Sequence, residues 1–302
     1  MRYSVVIDEF KRDRFIQVVF AVAMGLILLA IIGPFLVADP HKQDIVHRLQ
    51  PPGEYGVLGT DELGRSVFAR ITYGLRTSFI VGIAAVLLGF VVGVGLGLLA
   101  GYSGGWLDSL IMRVVDIQLS LPALLLAAAV MVTSGGKITV LILVLGLTSW
   151  TFYARVSRTL VLRYRSTDFV LATRSLGAGS PRIIARHLFP NILPSMIAIA
   201  TLEFARIMLA EASLSFLGFG IQPPTISIGT ILAGGRDYLV TQWWVTAFSG
   251  LTLALAVLTM NLLGSWLERV TNPTAALGRE IAPAAAGPAA PGGTADPRLA
   301  PA

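Results

Sequence analysis

Cysteine is absent from this chain, which excludes disulfide staples and thiolate metal centres. Histidine is almost as scarce: His41, His47 and His187 are the only three, and they are scattered. Metal ligation draws on clustered ligands, so no metal site is expected. Charge is also in short supply. Asp, Glu, Lys and Arg make up 13% of the 302 residues, whereas soluble domains carry roughly 25%. Catalytic signatures are missing as well. There is no H-E-x-x-H and no pair of aspartates within an apolar run. Asp61 and Glu62 lie near Arg65, but no nucleophile or positioned base accompanies them. Gly135-Gly136-Lys137 is followed by Ile138 and lacks the earlier glycine, so it is not a phosphate loop. No catalytic residue and no bound cofactor are expected.

What the chain has instead is apolar surface. It is 55% hydrophobic, more than a polar exterior of this size can cover in water. The bilayer is then the natural solvent, and the formal charge of +6 matters through its placement. A basic face on a soluble fold, the mark of nucleic-acid binding, is not present.

A membrane span needs about 20 mostly apolar residues. Phe15 to Val37 meets this without an internal charge and follows Lys11, Arg12 and Arg14. It exceeds the length of a signal-peptide core and has no small-residue cleavage site after it, so it reads as a retained first helix. Phe79 to Ala100 is the second span. Its Gly89, Gly93 and Gly97 leave one helix face bare, suited to close helix packing or to gating. The third runs from Ile117 to Thr133 and contains Pro122; the fourth runs from Ile138 to Phe152. The short turn between them makes these two antiparallel neighbours. Ile192 to Leu217 and Trp243 to Trp266 complete six spans, with tryptophans at both ends of the last.

Charge orients the bundle. Arg155, Arg158, Arg163, Arg165, Arg174, Arg182 and Arg186 crowd the segment between the fourth and fifth spans, with Asp168 as its only acid. The loop at 38–77 balances its charges. Placing the arginine-rich loop in the cytoplasm puts both termini there too. The expected organisation is a cytoplasmic tail at 1–14, a first helix at 15–37 and an external loop at 38–77. A five-helix transmembrane domain at 78–270 follows, containing a cytoplasmic loop at 156–191. The cytoplasmic tail at 271–302 turns to alanine, proline and glycine, and is expected to be disordered from about 282.

The stretch DFVLATRSLGAGSPRIIARHLFPNILP, residues 168–194, reads as two short helices. Asp168 suits the first helix's amino end. Gly177 and Gly179 stop it. Ser180 can cap the second, with Pro181 at its first position and its end before Pro190. The result is a rigid elbow.

Here the chain resembles the inner-membrane permeases of binding-protein-dependent ABC importers. Their cytoplasmic loop carries an EAA motif, a glycine six residues after the glutamate, and a later proline. Gly177 and Pro190 match; Ala172 matches; Leu171 and Thr173 stand where the family has Glu and its second Ala. Further segments narrow the resemblance to the dipeptide and oligopeptide permeases, the DppC/OppC-like member. Leu58 to Arg65 (LGTDELGR, holding Gly59, Thr60, Asp61, Gly64 and Arg65) looks like the family's GTDxLGRD, with Ser66 in place of the last Asp. Glu211 to Gly218 with Gln222-Pro223-Pro224 is similar to EASLSFLGLG…QPP, and Gly234 to Tyr238 to another family stretch. Ile228 stands where relatives often have Trp.

The resemblance implies an all-α, six-helix, type I ABC importer (MetI-like) fold in the inner membrane of a prokaryote. It implies a second homologous permease and two cytoplasmic ATPases, which bind ATP and Mg and dock on the elbow. It also implies an extracytoplasmic binding protein that delivers peptide. Nickel permeases share this architecture, and a stand-alone secondary transporter would need Glu203 or Glu211 as its ion site. Glu203 and Arg206, three apart, either form an internal ion pair or line the path; Glu211 is open to the same alternatives. Arg113 and Asp116 are expected to form a local pair, or to meet a partner.

Overall fold

The computed structural model describes residues 3 to 271; the tail at 282–302 lies outside them. The described residues form eleven α-helices: α1 (Tyr3–Arg12), α2 (Arg14–Leu36), α3 (Val67–Ser103), α4 (Gly105–Leu119), α5 (Ala123–Ser134), α6 (Ile138–Tyr164), α7 (Asp168–Ser175), α8 (Ser180–Ile183), α9 (Phe189–Phe216), α10 (Ile228–Gly235) and α11 (Trp244–Thr271). Five segments are long and apolar enough to cross a membrane, and the bent pair α4/α5 makes a sixth. The six-span architecture therefore stands, with altered lengths. α3 has 37 residues, about 55 Å at 1.5 Å each, so it outreaches a hydrocarbon core of about 30 Å. The loop after α2 ends at Ser66 and not at residue 77.

Local chemistry sets the starts and stops. Asp13 caps α2, its Oδ1 accepting from the N–H groups of Phe15 (3.0 Å) and Ile16 (3.2 Å). Ser66 caps α3 through the N–H of Ala69, a task an aspartate performs equally well. Ser227 and Thr230 form a reciprocal capping box at α10.

The third span is not one helix. α4 and α5 meet at an angle of 77°, with Ser120, Leu121 and Pro122 at the break. Proline disfavours helix in the residue before it and supplies no N–H, so α5 starts afresh on Pro122.

The glycine stripe serves packing. A Cβ on Gly93 would lie 2.6 Å from Tyr153 Cβ, and one on Gly97 would lie 2.5 Å from the carbonyl of Ala154. Bare backbone there lets α3 and α6 run in close contact. Gly146 of α6 answers in kind, against Leu88.

Two pairs correct the expectation for Arg113 and Asp116. Asp116 pairs with Arg155 of α6 at 2.6 Å, and Asp108 takes Arg158 on both oxygens, with Nη2 to Oδ2 at 2.6 Å. Arg113 is exposed and in neither pair. Three-residue spacing makes a local pair available, but α6 offers guanidinium groups across the helix interface.

Candidate coupling elbow and membrane-depth cavity

The elbow begins where α6 ends. α7 runs from Asp168 to Ser175, and Gly177 breaks it at φ +82°, a left-handed conformation that side chains strain to adopt. Gly179, at φ −69°, caps α8 instead of stopping α7, which moves the expected cap one residue before Ser180. The second helix does not end before Pro190. It passes through a π-helical turn, Ile184–Leu188, straight into α9, where Pro190 falls in the first turn. Pro190 supplies no N–H to the preceding turn, and the π-helical turn just before it is where the ladder departs from regular α geometry.

The elbow is anchored from beneath. Val170, Ile183 and Leu188 are fully buried with Tyr153, Val161, Ile192 and Met196. Arg165 donates to the carbonyl of Gly101 at 3.0 Å, tying the elbow to the end of α3. Its outer surface is bare: Asp168, Leu171, Ala172, Gly177, Arg182 and Pro190 are exposed, and Thr173 is half-buried. Leu176 is 88% exposed beside Leu171 at 47%. These leucines share the outer face with the exposed charges of Asp168, Arg174 and Arg182.

At the opposite end the loop of residues 37 to 66 folds around Asp61, whose carboxylate is fully buried. It accepts from the N–H groups of Leu63 (3.0 Å) and Arg65 (2.9 Å), from Arg65 Nε at 2.7 Å, and from Arg70. Gly59 and Gly64 supply left-handed turns at φ +76° and +71°. Thr60 donates to the carbonyl of His47 at 2.6 Å and receives Trp244 Nε1 on its own carbonyl at 3.2 Å. The motif is thus a structural knot seated on α3 and α11. Arg70, absent from the sequence-based candidates, completes it; only its burial, 8% exposed, reveals it. Nearby, His47 Nδ1 and the Tyr55 hydroxyl both bond Asp44 Oδ2 at 2.9 Å, and these hydrogen bonds hold the Asp44 carboxyl below its ordinary value.

The three charged candidates of α9 separate. Glu211 is wholly buried and accepts from Ser78 (2.8 Å) and Ser215 (2.9 Å), so it joins α9 to α3. Glu203 is also buried, and Arg206 grips it through Nε (3.0 Å) and Nη2 (2.8 Å). The Arg206 side chain itself is 59% exposed, against 5% for Glu203. It looks into a cavity of about 300 Å³ lined also by Gln118, Leu121, Thr148 and Thr151. Gln118 lies one turn before the α4/α5 break and accepts Trp150 Nε1 at 2.8 Å. Sequence spacing pointed to the ion pair; nothing in it pointed to the break beside the pair.

Comparison with known proteins agrees with this architecture. The family model described as binding-protein-dependent transport system inner membrane component matches residues 93–276. The chain is 39% identical to the Di/tripeptide transport system permease protein DppC of Pseudomonas aeruginosa (strain UCBPP-PA14), over 82% of this chain and 84% of that one. It is 36% identical to the Dipeptide transport system permease protein DppC of Bacillus subtilis (strain 168), over 87% and 83% of the two chains. Among solved structures, the inward-facing MetNI methionine ABC transporter matches with TM-score 0.56 and 21% identity, over 67% of this chain and 96% of that one.

Proposed function

The chain belongs to the binding-protein-dependent transport system inner membrane components, and from that membership we propose that it forms half of the path by which an ATP-driven importer carries di- or oligopeptides across the cytoplasmic membrane. The second half comes from a homologous permease, the substrate from an extracytoplasmic binding protein, and the energy from two ATPases holding ATP and Mg. This chain binds neither nucleotide nor metal in that scheme. The α7 end lies in the cytoplasm, as do both termini. The relatives named as dipeptide permeases support the peptide substrate.

The observation that carries this reading is the elbow. Its outer ridge is exposed while Val170, Ile183 and Leu188 are sunk among α3, α6 and α9. A push on Leu171 and Leu176 cannot be absorbed locally, because close-packed interiors transmit displacement. The π-helical turn continues without a loop into α9, so the elbow and that span move together. ATPase closure therefore tilts the helix that carries Glu203 and Arg206. Leu171 makes this docking surface apolar where the family pattern has a carboxylate, so contact area replaces one polar bond.

Peptide is favoured over nickel by the names of those relatives; the cavity itself carries Arg206 together with its partner Glu203. The test is uptake by the reconstituted complex of permeases, ATPases and binding protein in liposomes. Labelled dipeptide is expected to accumulate with ATP and nickel is not. Nickel accumulation without peptide uptake would overturn the assignment, and ion-driven uptake by this chain alone would overturn the class.

A further inference from the structure

We propose that Arg206 receives the carboxylate of the peptide in transit, in a site formed by its guanidinium and the break between α4 and α5. The proposal rests on the reading that this cavity belongs to the translocation path.

Depth comes first. Arg206 lies ten residues before Phe216, the last residue of α9, and so about 15 Å from that end at 1.5 Å per residue. With Phe216 taken as the edge of a hydrocarbon core of about 30 Å, that is near the middle. An exposed guanidinium there is expelled by lipid and requires water, a polar ligand or protein. A second observation, independent of charge, places the same requirement on the same spot. The chain breaks by 77° between Leu119 and Ala123, and irregular backbone at membrane depth is tolerated only where it is buried in protein or lines a water-filled cavity. Ala123, the first residue of α5, lines the 300 Å³ cavity and a second of about 230 Å³, and Arg206 lines both.

The chemistry selects an anion. Glu203 lines the cavity beside Arg206 but is only 4% exposed and is spent on Nε and Nη2, while no bond to Nη1 is present among the described residues. α5 opens on Pro122 without a side-chain cap, so the positive end of its dipole adds to the guanidinium. Thr148, Thr151 and Gln118 supply neutral polar groups on the same wall. The combined volume suits a small ligand's end group. Every peptide with a free terminus carries a carboxylate, whatever its side chains, so one fixed cation serves substrates of varied sequence. Because Glu203 already neutralises part of Arg206, the hold is weak enough to release, which conduction requires.

The experiment uses the complete transporter in proteoliposomes at saturating binding protein. Wild type and Arg206→Gln are each given a free-acid dipeptide and a carboxylate-lacking counterpart, amide or ester, whichever the wild type carries. The binding protein's preference is common to both permeases and cancels in the comparison. Free-acid transport should fall about tenfold or more, the scale of a lost charge-assisted hydrogen bond, while the counterpart changes less than twofold. Arg206→Lys should fall between. Equal loss of both substrates would mean that Arg206 pairs with protein, and unchanged rates would mean that it binds nothing; either overturns the proposal. The path itself is tested separately. Leu209 and Ser213 line the second cavity; Leu209→Cys and Ser213→Cys introduce the first cysteines into this chain, and a membrane-impermeant methanethiosulfonate should label them in at least one nucleotide state. No labelling in any state would overturn the path reading, and with it this inference.

Discussion

Gly177→Arg should uncouple the transporter without unfolding the permease. Gly177 sits at φ +82°, and a Cβ built there meets nothing within 4 Å. Any L-residue then costs only the left-handed strain, about 1–2 kcal/mol. Against a typical stability of about 5–15 kcal/mol, that leaves the fold intact. The arginine instead projects from the elbow beside Leu176, onto the surface assigned to the ATPase. An unpaired charge buried in an interface costs about 2–5 kcal/mol, or roughly 30-fold to a few thousand-fold in docking. Gly177→Ala carries the strain alone and acts as the control. The assay is peptide-stimulated ATP hydrolysis by the reconstituted complex, with thermal unfolding of the purified permease alongside. Gly177→Arg should abolish coupled hydrolysis with little change in melting, and Gly177→Ala should retain most of it. If alanine proves as damaging as arginine, backbone strain is the cause and the docking argument fails; if arginine transports normally, the elbow is not the coupling surface.

Three further outcomes follow from the packing. Asp61→Asn withdraws the carboxylate shared by Arg65 and Arg70, and breaking a buried pair costs about 3–5 kcal/mol; the loop at 37–66 should become sensitive to added protease, and persistent resistance would refute the knot. Gly93→Leu forces side-chain atoms against Tyr153 and should destabilise by about 1–3 kcal/mol or more in thermal unfolding. Gly25→Leu, with open space around it, should not, and equal effects would argue against a packing role for the stripe. The third concerns acid. Asp44 has its carboxyl held below the ordinary value, so the stabilisation it contributes is present above the unfolded-state value of about 4. It is lost only as pH falls through the lowered one. Protease sensitivity around Tyr55 should therefore stay flat from pH 7 to 5 and rise only below about pH 4; a rise near pH 6 that Asp44→Asn abolishes would contradict this.

Much of the molecule was legible as a string. Six apolar runs and the position of the arginines needed only length, hydropathy and sign, because a bilayer imposes its thickness on any chain that crosses it. The elbow's stop at Gly177 was equally readable, since a left-handed turn is a one-residue property. So was the Glu203–Arg206 pair, set by a single helical turn. The tertiary structure decided what depends on neighbours distant in sequence. Asp116 chose Arg155 over Arg113 because α6 brought a guanidinium within reach. Glu211 found a socket of serines on two helices, and Arg70 entered a knot that the loop motif alone did not contain. Pro190 reads as a terminator in the string, but the helix continues through it by way of a π-helical turn. Pro122 marked a disturbance, yet only the fold set the break beside Arg206. Helical period and hydropathy act within a few residues, whereas the partners of a buried charge are fixed by which helices pack together.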